Sequence, residues 1–186
     1  MSSSNKFTYY LTFLELYACY SELAAKEQLP AGQYNLGLMY DKGYYVAQNR
    51  QIALDLYKKS AKQGYAKAQY NLGNAYATGD GVSKNDEKAV ELFTKAAQQN
   101  FPEAQYNLGN AYVNGRGITK NNQKALELFT KAAEQNFPEA QYNLAYMYEN
   151  IFLDLEKAMY WYKKASENKI SEASKALERL TSLSKQ

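Results

Sequence analysis

The segment Ala-Gln-Tyr-Asn-Leu-Gly-Asn-Ala-Tyr occurs twice in this chain, at 68–76 and 104–112, and two looser copies flank it. Gln33, Gln69, Gln105 and Gln141 mark the four copies, each 36 residues from the next. A fixed period of this size is the mark of a stacked-repeat architecture. A residue that recurs once per repeat is first a packing or capping residue. Function must therefore be sought where a face is polar for no packing reason.

One repeat can be read as physics. Ala68, Leu72, Gly73 and Tyr76 share one face of a helix, here called helix A. Gly43, Gly79 and Gly115 follow it where a left-handed C-terminal cap is expected. A short connector carries Gly81-Val82 and Gly117-Ile118, with Tyr45-Val46 in the first copy; the valine or isoleucine is expected to pin the loop to the core. Asn49, Asn85, Asn121 and Asp154 are N-caps of a second helix, B. Its inward face alternates large residues with alanine: Ala89, Leu92, Phe93, Ala96 and Ala97 in one copy, Ala125, Leu128, Phe129, Ala132 and Ala133 in the next, and Ala158, Trp161, Tyr162 and Ala165 in the last. Gly64, Asn100 and Asn136 then end helix B with positive φ. Pro102 and Pro138, each followed by a glutamate, start the next helix A.

The register predicts one repeat domain over 1–186. An N-terminal capping helix covers 5–30, repeats cover 31–66, 67–102, 103–138 and 139–171, and a C-terminal capping helix covers 172–186. The fourth repeat is three residues short, and its connector, Glu149 to Leu153, has no glycine. The fold class is all-α, a right-handed solenoid of about ten helices.

Composition excludes several chemistries. There is no histidine and one cysteine, Cys19, so no imidazole base, no paired-cysteine site and no intramolecular disulfide can form. No cofactor and no metal are expected. The net charge of +3 is spread among interspersed acids, which argues against nucleic acid. No stretch is apolar enough for a membrane span. Leu16-Tyr17-Ala18-Cys19 has the outline of a lipoprotein signal, but Glu15 interrupts the apolar run, and an amphipathic first helix is the better reading. A cytoplasmic, monomeric, bacterial protein is expected, with periplasmic placement or secretion left open.

The pattern A-x-x-x-L-G-x-x-Y, then G-x-G-V, an N-cap, K-A and a closing A-A, resembles the Sel-one-like repeat family, a longer-looped relative of the tetratricopeptide repeat. Ala68, Leu72, Gly73, Tyr76, Gly79, Gly81, Val82, Lys88, Ala89, Ala96 and Ala97 carry it. The family's aromatic pair in helix B survives fully only as Trp161-Tyr162. The resemblance implies a protein-binding scaffold whose A helices line a concave groove; fold alone does not set a function.

In that groove the stripe opposite the packing face would present Asn35, Asn71, Asn74, Asn107, Asn110 and Asn143, flanked by Tyr70 and Tyr106. Asparagine is a mediocre helix former, so its recurrence there asks for a reason. A carboxamide both donates and accepts, and so can pair with a peptide unit of a partner protein. Two structural readings stand beside this one: asparagines bonding to one another between repeats, and tyrosines packing between them. Tetratricopeptide relatives that clamp a C-terminal dicarboxylate add lysine or arginine to such asparagines. Here Lys67 is followed in its column by Glu103 and Glu139, which does not suit a carboxylate. Two further functions come with the resemblance. One is an inhibitor, immunity protein or secreted effector using the same groove. The other is β-lactam binding or hydrolysis, for which Ser166 and Lys169 match S-x-x-K without the accompanying elements. The expectation is a binding protein and not an enzyme.

Overall fold

A computed structural model describes residue 19 and residues 21–183. The signal-like segment before Cys19, most of the expected N-terminal helix and residues 184–186 lie outside that range. Among the described residues a helical stretch at 21–26 is followed by helices of twelve or thirteen residues, and no strand occurs. These are α1 Pro30–Lys42, α2 Arg50–Lys62, α3 Ala66–Thr78, α4 Asp86–Ala97, α5 Pro102–Asn114, α6 Asn122–Glu134, α7 Pro138–Asn150, α8 Leu155–Glu167 and α9 Ser171–Leu183. Odd-numbered α1 to α7 are the A helices and even-numbered α2 to α8 the B helices.

The caps explain the boundaries. Asn49, Asn85, Asn121 and Asp154 each accept the backbone N–H three residues on, at 2.8–3.1 Å. Proline opens α1, α5 and α7. Gly43, Gly79 and Gly115 close α1, α3 and α5 in the left-handed region. Helix B gives way to helix A through a second left-handed residue: Gly64, Asn100 and Asn136, at φ 89°, 60° and 62°. Gln28 and Lys169 hold the same column and the same conformation, so the register runs into both terminal segments. The fourth connector differs from expectation. Helix α7 includes Glu149 and Asn150 and ends in the same column as the other A helices, although Ile151 after it stays right-handed where the other copies place a left-handed glycine. The A helices thus keep one length, and the missing three residues come out of the loop.

Contacts group the chain into two compact units, Met1–Ala96 and Ala97–Gln186. In the first, α1 packs on α2 and α2 on α3. Ala53, Leu54, Tyr57 and Ala61 of α2 meet Ala68, Leu72 and Ala75 of α3 in a buried cluster, with Val82 of the connector half-buried against it. In the second unit α5 to α9 pack consecutively. Ala125, Phe129, Ala132 and Ala133 of α6 face Ala140, Leu144 and Met147 of α7. Ala145, Ala158, Tyr162, Ala165, Ala173 and Leu180 form a further cluster through α9. Alanine recurs at the contacts and lets backbones approach, while each buried large side chain contributes roughly 1.5–3 kcal/mol.

The glutamines that mark the repeats are buried polar residues. Nε2 of Gln69, Gln105 and Gln141 donates to the carbonyl of Ala61, Ala97 and Ala133 near the end of the preceding helix B. Oε1 of Gln33, Gln105 and Gln141 accepts from Gln63, Gln135 and Asn168, 2.8–2.9 Å away. One side chain gives a second donor to a helix-end carbonyl that already accepts the backbone N–H three residues on, and is itself satisfied, which explains why an amide rather than an apolar group holds the column.

Candidate functional site

The expected asparagine faces are half-buried. In the second unit Asn143 Nδ2 donates to Asn110 Oδ1 at 3.1 Å, tying α7 to α5. Tyr106 packs its ring on Phe129 and Phe137. In the first unit Tyr70 packs on Phe93 in the same way. Asn71 and Asn74 line an open cleft of about 580 Å³ together with Tyr34, Leu38, Asp41, Lys42, Gln48, Arg50, Tyr57 and Asp80.

This cleft is built by departures from the repeat. Arg50 is the first residue of α2. Its Nη1 pairs with Asp41, in the last turn of α1, and its Nη2 with Asp80 at 2.9 Å. Asp80 belongs to the connector after α3, which lies directly on the arginine stem. A Cβ on Gly81 would come within 2.9 Å of Arg50 Cγ and 2.6 Å of a Leu54 methyl, and φ is +74°. Only glycine lets the connector descend that far. Gln48 donates to the Asp41 carbonyl at 2.8 Å. Tyr34 lies 5.7 Å, ring to ring, from Tyr57.

Two polar atoms of the cleft have no protein partner: the Tyr57 hydroxyl and Arg50 Nε. Tyr57 is 1% exposed. Burial, with Asp41 beside it, pushes its phenol well above the usual tyrosine range, and the nearby Asn71 amide opposes this. That amide does not reach the hydroxyl with hydrogen-bond geometry.

The fourth repeat shows the same arrangement completed. Tyr162 holds the position of Tyr57 and Glu149 that of Asp41. There the tyrosine hydroxyl donates to Glu149 Oε2 at 2.8 Å, and Arg179 of α9 pairs with the other carboxylate oxygen at 2.5 Å. Glu149 raises the affinity of Arg179 for its proton, while burial followed by Glu149 raises that of Tyr162. Aspartate at 41 is one methylene shorter, and the phenol above it is left unmet. The middle repeats have neither half: Phe93 and Phe129 stand with Ala77 and Val113. Tyrosine therefore appears only where an acid sits sixteen or thirteen residues before it. Those two columns, read together, carried the signal; reading each column for its common residue hides it.

The family model for the Sel1 repeat matches residues 30–65, 66–101, 102–137 and 138–169. The chain belongs to the Sel1 repeat family. Each Sel1 repeat begins one residue before the boundary expected from periodicity, at the first residue of an A helix. Solved structures agree. A protective antigen of uropathogenic Escherichia coli with an SLR fold is 30% identical at a TM-score of 0.82, covering 88% of this chain and 36% of that one. A Sel1 repeat protein from Oxalobacter formigenes is 31% identical at 0.76, covering 85% and 66%. An immunity protein of Pseudomonas aeruginosa is 26% identical at 0.53, covering 78% and 55%. The chain thus spans about a third and two-thirds of the first two relatives' lengths. No curated protein matches the sequence. The fold is an all-α solenoid of two-helix Sel1 repeats, and Sel1 repeats generally serve as protein-interaction scaffolds. Among the described residues no helix is long and apolar enough to cross a membrane.

Proposed function

We propose that this Sel1 repeat chain is a non-enzymatic binding protein that holds a peptide or protein segment against the asparagine-bearing faces of its A helices. The observation that carries the reading is the cleft where Asn71 and Asn74 stand with the unmet Tyr57 hydroxyl. Buried polar groups are ordinarily satisfied, and an open polar cleft that leaves one unsatisfied suits a ligand. In the second unit Asn107, Asn110 and Asn143 supply a comparable face, part of it engaged in the Asn143–Asn110 bond. An inhibitor or immunity role is the second reading, favoured by the 26% identity to the Pseudomonas immunity protein. It uses the same kind of surface and differs in partner.

A random-peptide display library panned on the purified protein tests the reading. Enriched peptides are then titrated against wild type and against a variant carrying Asn71→Ala and Asn74→Ala. Losing two neutral hydrogen bonds of about 0.5–1.5 kcal/mol each should weaken binding by roughly 5- to 150-fold. Helicity should hold, since alanine is the better helix former. Selected peptides that bind the double variant at full strength, or a library that yields none, would defeat it.

A further inference from the structure

We infer that the cleft between α1, α2 and α3 is a carboxamide-recognition pocket, taking the side chain of asparagine or glutamine, or an uncharged peptide unit, from the bound segment. The inference rests on the binding role above and names the chemistry of one site within it.

Tyr57 lines the cleft on a side chain 1% exposed, and its Oη is buried and bonded to no atom of the described residues. Arg50 Nε–H is a second donor in the same state. Each can donate a hydrogen bond to a ligand oxygen. The acceptors are Asp41, whose carboxylate keeps lone pairs beyond its bond to Arg50, and the Asn71 carbonyl. A ligand group that accepts on one atom and donates from the next satisfies both sets, and a carboxamide is such a group.

Charge selects among alternatives. Asp41 and Asp80 already neutralise Arg50, and Lys42 lies 3.8 Å from Asp41. The two anions and two cations of the cleft balance, so neither a carboxylate nor an ammonium gains a net attraction there to offset its desolvation. A neutral polar group carries a far smaller desolvation cost. The fourth repeat makes the comparison internal to the chain, because there a glutamate of the protein itself occupies the tyrosine hydroxyl. The shorter Asp41 leaves that place to an incoming group. At about 580 Å³ the cleft also has room for flanking residues of a segment.

Capped tripeptides titrated into isotope-labelled protein and followed by NMR supply the test. The probes are Ac-Gly-Xaa-Gly-NH2 with Xaa glutamine, glutamate, lysine, leucine or glycine. The glutamine peptide should shift resonances of Asp41, Arg50, Tyr57 and Asn71, and bind several-fold tighter than the glutamate, lysine and leucine peptides. Tyr57→Phe should weaken it about fivefold, the effect of one neutral hydrogen bond. Phenylalanine already fills this column at 93 and 129, so that variant keeps the packing. Asn71→Ala should weaken the peptide similarly, and Tyr162→Phe, whose hydroxyl is already engaged, should leave it unchanged. If the glycine and leucine peptides bind as well as the glutamine peptide, the recognised carboxamide is a backbone or terminal amide that every probe carries; if the glutamine peptide binds tighter than both, it is the side chain. Tighter binding of the glutamate or lysine peptide would overturn the inference. So would full-strength binding to Tyr57→Phe, or no shift at the solubility limit. Display-selected peptides that need Asn71 and Asn74 but ignore Tyr57→Phe would sink this pocket and leave the binding role standing. Tripeptide recognition at Tyr57 without any selected peptide would do the reverse.

Discussion

Gly64 offers a test of the helix-end argument in which side-chain contacts play no part. It sits at φ 89°, one residue past the C-cap of α2, and its N–H donates to Ala61 O at 3.0 Å. A Cβ built there meets nothing within 4 Å. Any loss on substitution is therefore backbone strain. Holding a β-branched residue in the left-handed region costs roughly 1–2 kcal/mol, while asparagine tolerates it. Gly64→Val should fall by about that amount and Gly64→Asn should stay close to wild type. The reciprocal pair is Asn100→Val and Asn100→Gly. Asn100, at φ 60°, also accepts from Gln105 Nε2 at 3.3 Å, so Asn100→Gly should lose a few tenths to about 1 kcal/mol and Asn100→Val more. For a chain of this size 1 kcal/mol moves the melting temperature by about 2–4 °C. Urea unfolding followed by circular dichroism reads the differences, with the slope checked because repeat arrays can leave two-state behaviour. Equal midpoints for Gly64→Val and Gly64→Asn would refute the reasoning.

Alkaline pH should report on the buried phenols. Tyr57 and Tyr162 hold their protons more tightly when folded, so their contribution is intact below the unfolded tyrosine range near pH 10 and is lost as pH rises beyond it. Tyr57→Phe should therefore lose less stability than wild type between about pH 9 and 11; parallel decline of the two urea midpoints would contradict this. Purified protein should hydrolyse a chromogenic β-lactam no faster than buffer, since Ser166 Oγ is engaged with Ser174 Oγ at 2.7 Å and the chain has no histidine base. Turnover that disappears with Ser166→Ala would reverse that expectation.

The sequence discloses local rules well and exceptions poorly. Asn49, Asn85, Asn121 and Asp154 could be read as caps because a cap needs only its own residue and the backbone three positions on. Gly64, Asn100 and Asn136 were legible for the same reason, since φ is a property of one residue. The role of Gln69 and Gln105 was not, because their partners are helix-end carbonyls that one-dimensional periodicity does not bring near. The cleft was half legible. Asn71 and Asn74 stood out as poor helix formers on a packing-free stripe. Arg50, Asp41 and Tyr57 did not, because each is a departure within its column, and a search for common residues discards departures. Tyr70 and Tyr106, legible either as ligand contacts or as packing between repeats, lie half-buried on Phe93 and Phe129.

The junction from helix B to helix A has a consequence for heredity. Tyr65 and Phe101 enter their helices at nearly the same angles, φ −70° and ψ 113° against φ −80° and ψ 108°. Splicing Tyr65 directly to Pro102 would reproduce a native joint, and so would inserting another copy there. Recombination between copies of the coding sequence can then lengthen or shorten this protein in whole units without a scar. Small insertions and deletions are confined to the A–B connectors, where the fourth repeat has already lost three residues. Every residue of the cleft falls between 34 and 80. Units added after residue 101 would leave it intact, whereas joining Tyr65 to Pro102 would remove Asn71, Asn74 and Asp80, so the chain can lengthen without changing its ligand but cannot shorten there without doing so.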